Sequence, residues 1–275
     1  MGQIRAATTG IDPRWLQISW LLVGVWYRDF SLLATQVLLT FAAAFACQYA
    51  ALRIVGLPRT SFYFLSAFVS SFGISLLVRA DNLWVHPLLA LVAIASKFLV
   101  TLPRADEPQL RAHIFNPANL AAVLAAYALP GAWLSPGQWG QDPVLATLFC
   151  LLGLAVTIKA KRWDVALMFI GSFALLLLLR ALWIEARLAT VLHTLLNGSL
   201  LLFTFFMISD PLTTPQQRGV RLAYAFCVAL AAALWQYTQF KPNGPVLALF
   251  VLSLVVPLLN RLWPARRYDW AAPKV

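Results

Sequence analysis

"RLATVLHTLLNGSLLLFTFFMISDP", residues 187–211, is long enough to cross a bilayer but carries His193, Asn197 and Thr204 through its apolar run and ends on Asp210–Pro211. At about 100° per residue, an unbroken helix places His193, Asn197 and Thr204 within about 40° of one another, on one face. Such a face reads either as helix–helix packing or as the wall of a polar path, because ionisable groups at membrane depth face a cavity or a partner. Pro211 disfavours helical geometry at the residue before it, so Asp210 is expected to close the segment in a turn. Its carboxylate then accepts from the amides of "PLTTP" (211–215) or pairs with Arg218 or Arg221.

Working outward, a second interrupted segment lies earlier in the chain. "SFYFLSAFVSSFGISLLVRADN" (61–82) also runs small and polar residues through an apolar stretch and also ends on an acid, Asp81. Ser66, Ser70 and Gly73 share a face about 60° wide, which reads first as close helix packing. Around these two stretches the 275-residue chain is 61% hydrophobic and 11% charged, far from the roughly 25% charge of soluble domains. The composition predicts an all-α integral membrane protein forming a single membrane domain over 1–275. About ten transmembrane segments are expected, near 15–27, 31–56, 62–79, 82–101 and 115–133, then 143–158, 163–182, 186–209, 218–237 and 244–262. Five segments on each side of the connection at 134–142 predict two inverted repeats, 15–133 and 143–262. Corresponding interrupted segments in such halves point to a central site.

Charge sets the orientation. With the N-terminus inside, sixteen of the 21 basic residues fall in cytoplasmic regions and five outside, which predicts a multi-pass inner-membrane protein with both termini cytoplasmic. The net charge of +11 then reflects loops facing an anionic leaflet, and no nucleic-acid partner is expected. No secretory signal is read at the N-terminus. Cys47, Cys150 and Cys227 lie in apolar segments without ligand spacing, and His86, His113 and His193 are scattered, so no metal site is expected. His86, beside Trp84, reads as interfacial, and His113 as part of an inside loop.

Two further stretches carry a resemblance. "FFMISDPLTTPQQRGVRLAYAF" (205–226) and "IASKFLVTLPRADEPQLRAHIFNPANLAAVL" (94–124), with Asn116, Pro117 and Ala118 on the motif, resemble the NqrB/RnfD family. These are membrane subunits of the sodium-pumping NADH:quinone reductase and of the Rnf electron-transport complex. The resemblance implies a urea-transporter-like fold of two inverted five-helix repeats, partner redox subunits and flavin. In the family, FMN is attached to the threonine of an S-G-A-T motif between the fifth and sixth spans. This chain has no S-G-A-T, and its connection there, "LSPGQWGQD" (134–142), offers only the hydroxyl of Ser135. Covalent FMN is therefore not expected.

The leading expectation is an RnfD/NqrB-like subunit of an electron-transport complex that couples electron transfer to ion movement, at most one part of an enzyme. It would hold FMN or riboflavin non-covalently through candidates Asn116, Asn119, Asn197, Thr213 and Thr214, the two threonines reading first as turn and cap residues. The alternative is a channel or carrier for a small neutral solute, with a polar path through Ser70, His193, Asn197, Thr204 and Asp210. A scaffold that lost both activities is a third reading.

Overall fold

The computed structural model describes residues 33–107, 110–135 and 143–266. The expected first segment near 15–27, and most of the connection at 134–142, lie outside these residues. The order of elements is α1 (Ala34–Val55), α2 (Ser61–Leu77), β1 (Val78–Ala80), α3 (Val85–Leu99), β2 (Thr101–Pro103), β3 (Arg111–His113), α4 (Pro117–Tyr127) and β4 (Ala132–Leu134). There follow α5 (Pro143–Lys159), α6 (Trp163–Trp183), α7 (Leu188–Leu195) and α8 (Gly198–Leu202), which continues as one π-helical turn over Phe203–Met207. The chain closes with α9 (Arg218–Gln239), α10 (Gly244–Ser253) and α11 (Val256–Leu262).

The membrane character is visible in which face each helix buries. Helix α1 turns Gln36, Thr40, Ala44, Gln48 and Leu52 inward and leaves Leu38 69% and Ile54 85% exposed. Water would favour the reverse, whereas lipid tails accept the leucines and force the polar groups to find partners inside. They do: Gln36 Nε2 donates to the Ala80 carbonyl at 2.8 Å, and Thr40 Oγ1 donates to the Gln36 carbonyl.

Among the described residues, fewer helices than the ten expected segments are long enough to be full spans. Three helices, α1, α6 and α9, are long and apolar enough to cross a membrane. Counting each of the bent pairs α7–α8 and α10–α11 as one span gives up to five among the described residues. Helices α2, α3, α4 and α5 have 17, 15, 11 and 17 residues, short of the roughly 20 needed for a full crossing. The all-α expectation also needs correction. Two antiparallel two-stranded ribbons are present, β1 with β4 (Val78↔Leu134) and β2 with β3 (Thr101↔His113). They pair backbone groups of chain that has just left a helix, and Pro103, which lacks an N–H, sits at a ribbon end.

Both bends have local causes. Asn197 leaves helical geometry (φ −64°, ψ 128°) and caps α8, its side chain accepting from the Ser199 amide, so α7 and α8 meet at 49°. Helices α10 and α11 also meet at 49°, where Pro257 removes a backbone donor.

Packing is strongest between α1 and α3 on one side and between α6 and α9 on the other. Fully buried Ala225, Val228, Ala229 and Ala232 make α9 a thin central helix, which α10 approaches so closely that Gly244 lies against the Ala232 carbonyl. Phe169 and Phe173 of α6 fill the space against Phe203.

Candidate functional site

The Ser209–Asp210–Pro211 turn is built as its residue types dictate. Asp210 Oδ1 accepts from the Leu212 amide at 3.0 Å, and the Asp210 carbonyl accepts from Thr214 Oγ1 at 2.9 Å, an Asx turn backed by a hydroxyl. Neither Arg218 nor Arg221 pairs with this acid. Both go to Asp164, Arg221 Nη2 at 2.6 Å and Arg218 Nε at 3.6 Å. Arg221 Nη1 also donates to the Gln216 carbonyl. Gln216 Nε2 in turn donates to the carbonyls of Pro211 and Thr214, so the buried ion pair clamps the end of the turn.

The other carboxylate oxygen of Asp210 makes the long-range contact. Asn116 Nδ2 donates to Asp210 Oδ2 at 3.1 Å, joining residues 94 positions apart. Asn116 also caps α4, its Oδ1 accepting from the Asn119 amide at 3.1 Å, with Pro117 preorganised in the first turn. A single amide thus holds the start of one short helix and the turn after another.

Asn116 and Asp210 lie on the wall of a cavity of about 620 Å³, within the range of small-molecule sites. Its inner end carries buried Ser70 and Asn116 and continues into a recess of about 50 Å³ between α2 and the π-helical turn, lined also by Gly73, Leu202 and Met207. π-Turns inside helices often mark functional sites. One flank carries Lys97, whose Nζ donates to Gln48 Oε1 at 3.0 Å and Ser66 Oγ at 3.1 Å. The outer end is the β2–β3 hairpin, with Thr101, Arg104, Arg111 and His113 on the lining. Phe205 and Phe206 supply apolar wall.

The decisive observation is the match of a family profile, described as the NQR2, RnfD, RnfE family, to residues 131–269, half of the chain. The chain belongs to this family. Similar relatives are the ion-translocating oxidoreductase complex subunits D of Escherichia fergusonii and of Escherichia coli O1:K1 / APEC. They are 29% and 31% identical, each over 140 residues. The corresponding subunit of Escherichia coli strain K12 is 28% identical over 137 residues. Each match covers 50% of this chain and 35% of the relative, so the chain matches about a third of the length of these relatives. Asp210 lies inside the profile's range. Asn116 lies outside it, and the fold brings the two together.

Of the residues singled out from sequence, the NQR2/RnfD/RnfE-family chain gathers Ser66, Ser70, His113, Asn116 and Asp210 at the cavity, with Gly73 on its recess. The other candidates are elsewhere. Asn119 donates to the Val246 carbonyl at 3.2 Å, tying α4 to α10. Thr213 and Thr214 are buried behind the turn. Asn197 is a helix cap, and Thr204 is fully buried with its hydroxyl on the Leu200 carbonyl. His193 is exposed on α7, so the one-face geometry of His193, Asn197 and Thr204 is broken at Asn197. His86, expected at an interface, is only 1% exposed, because α3 begins one residue before it and carries it under the β1–β4 ribbon. Sequence reasoning missed Lys97, Gln48, Arg104 and Arg111. Lys97 had a signal, a cation inside the apolar run "IASKFLV" (94–100).

The Asn116–Asp210 contact makes a signed prediction. Asn116→Asp keeps the capping acceptor but sets a second carboxylate against Asp210. Like-charge proximity raises the folded-state pKa of the pair, so its stability is present at low pH and lost as pH rises through the raised value. The thermal midpoint of Asn116→Asp in detergent is expected to fall with rising pH across the carboxylate range, while Asn116→Ala, less stable by about 1 kcal/mol for the lost cap, shows no such added slope.

Proposed function

We propose that this chain is a membrane subunit of an ion-translocating oxidoreductase complex, in the manner of RnfD and NqrB, and that its cavity holds a flavin non-covalently. The observation that carries this reading is the Asn116–Asp210 hydrogen bond, which joins the two resembling motifs on one wall of the cavity.

The residues present suit the group. An isoalloxazine ring needs a flat apolar slot with donors and acceptors at its edge. Phe205, Phe206 and Val69 supply apolar wall, and Ser70, Asn116 and Asp210 supply polar edge. Bound there, flavin would provide the electron chemistry while the protein provides binding, orientation and electrostatics. Lys97, held by Gln48 and Ser66, brings a fixed positive charge to the flank, a charge that favours a reduced, anionic ring.

The wider reading follows. The chain sits in the inner membrane with both termini cytoplasmic, beside other redox subunits, and its halves are inverted repeats. Supporting the repeat, the second and fourth expected segments of each half pack on one another, α1 on α3 and α6 on α9. Asn116–Pro117 and Asn243–Gly244–Pro245 also open α4 and α10 with an asparagine and a proline, and of the two asparagines Asn116 caps through its side chain. The test is flavin release. Detergent-purified protein, denatured and centrifuged, is expected to leave flavin fluorescence in the supernatant and to exchange electrons with its partner subunits before denaturation. A folded preparation that neither carries nor takes up flavin contradicts the reading.

A further inference from the structure

We infer that the basic surface where the α5–α6 turn, the start of α9 and the end of α11 meet is a binding site for the headgroup of an anionic phospholipid. The inference is independent of what fills the cavity.

Gln216 is where the three segments converge. Its Oε1 accepts from Arg162 Nη2 at 2.7 Å, its amide donates to Asn260 Oδ1 at 2.9 Å, and its carbonyl accepts from Arg221 Nη1 at 2.8 Å. Each segment brings exposed cations to this end of the domain. Lys159 and Lys161 come from the α5–α6 turn, Arg218 from the first turn of α9 and Arg261 from the last turn of α11. The acid beneath them, Asp164, is buried and closes on Arg221 at 2.6 Å. Among the described residues, Lys159, Lys161 and Arg261 have no carboxylate within 4.0 Å. Arg218, 70% exposed, stands 3.6 Å from Asp164. The surface therefore keeps an excess of positive charge that its own acid does not cover.

Lys159 and Arg261 also answer the carbonyl ends of their own helices, which is reason enough for a cation there. Lys161 is different. The α5–α6 turn is a Schellman closure, with the Arg162 amide on the Thr157 carbonyl at 2.8 Å and the Lys161 amide on the Ile158 carbonyl at 3.0 Å. That puts Lys161 in the left-handed region at φ 53°, where glycine is the usual residue because a Cβ is strained. Gly56 ends α1 in the same way, at φ 73° with the Leu57 amide on the Leu52 carbonyl. A lysine in the strained position gives the turn nothing that glycine would not, and what it adds is an ammonium group at the surface.

The flanks set the level at which the charge lies. Trp163 and Trp263 follow closely on Arg162 and Arg261 and are 43% and 49% exposed, and tryptophan gathers at the headgroup level of a bilayer. Beside them Ile158, Leu258 and Leu262 are exposed, an apolar surface for acyl chains. An acidic protein would use the cations alone. An anionic phospholipid uses the cations, the tryptophans and the apolar side chains together.

The test titrates detergent-purified full chain with phosphatidylglycerol and, separately, with phosphatidylcholine. Bound lipid is read by native mass spectrometry and stability by the thermal midpoint. Phosphatidylglycerol is expected to bind about tenfold or more tighter and to raise the midpoint, with a preference that shrinks as salt rises. Lys161→Gly releases the left-handed strain, so its lipid-free midpoint should rise while its affinity for phosphatidylglycerol falls about fivefold, the factor one cation supplies near an anionic lipid surface. A residue present only to shape the turn does not move those two readings in opposite directions. Arg218→Gln should weaken the lipid by a similar factor. Arg53→Gln, at an exposed cation in the last turn of α1, should leave it unchanged. Equal binding of the two lipids overturns the site, and so does a loss in Arg53→Gln as large as that in Lys161→Gly, which would make the attraction a general one. Polyglutamate that binds the lipid-free chain more tightly than phosphatidylglycerol assigns the surface to an acidic protein and also overturns the inference.

Discussion

Asp164→Ala is expected to cost about 3–5 kcal/mol. The side chains of Asp164 and Arg221 are 7% and 8% exposed and meet at 2.6 Å. Removing the carboxylate leaves the Arg221 guanidinium buried without its counter-charge. Arg218, 70% exposed and 3.6 Å from the same carboxylate, has water as an alternative and suffers little. The damage spreads to the Asp210 turn, because Arg221 also holds the Gln216 carbonyl and Gln216 holds Pro211 and Thr214. Thermal unfolding in detergent checks this. Replacing both partners with apolar residues, Asp164→Leu with Arg221→Met, is expected to recover most of the loss, since a desolvated ion pair often does little better than a well-packed apolar one. An Asp164→Ala midpoint equal to the unmodified protein's contradicts the clamp.

Gly244→Ala is expected to be the next most damaging, at about 1–3 kcal/mol and toward the upper end. A Cβ there runs into the Ala232 carbonyl oxygen and falls 2.9 Å from Gln236 Cγ. The first of these is backbone and cannot turn aside, so α10 must move off α9. That movement reaches the cavity through Asn119, whose side chain bonds the Val246 carbonyl two residues on. Gly171→Ala is the control within the same fold. It lies inside α6 with nothing within 4 Å of the added carbon, so it is expected to gain about 0.5–1 kcal/mol from helix propensity. The two midpoints should move in opposite directions.

Composition and charge made the membrane class legible, and helix positions followed from the apolar runs. The Asp210 turn was also readable, because aspartate before proline has few local conformations. What sequence could not give was partner choice. Arg218 and Arg221 lie eight and eleven positions from Asp210, yet their acid is Asp164, brought in by α6 packing on α9. The break at Asn197 was visible as a polar interruption. It was not visible as a bend, because an amide flanked by glycine serves equally as a packing residue or as a helix cap. Full-length spans among the described residues are fewer than the ten expected segments for a related reason: apolar composition extends past helix ends into ribbons such as β1–β4, so a run's length exceeds its helix. Of the cavity, the inner residues Ser70, Asn116 and Asp210 were readable as polar groups out of place. The outer cations were not, since Arg104 and Arg111 look like any pair in a basic loop until the hairpin folds them over the opening.

The most direct test of a flavin cavity between the two motifs is flavin content per chain in the unmodified protein and in Ser70→Leu. Ser70 borders both the cavity and its recess, and its hydroxyl bonds only within its own helix, to the Ser66 carbonyl. Leucine therefore fills the inner end while leaving α2 intact. About one flavin per folded unmodified chain is expected, with a large loss in Ser70→Leu at an unchanged unfolding midpoint. Flavin retained in full by Ser70→Leu, or absent from a folded unmodified chain supplied with it, would contradict the account.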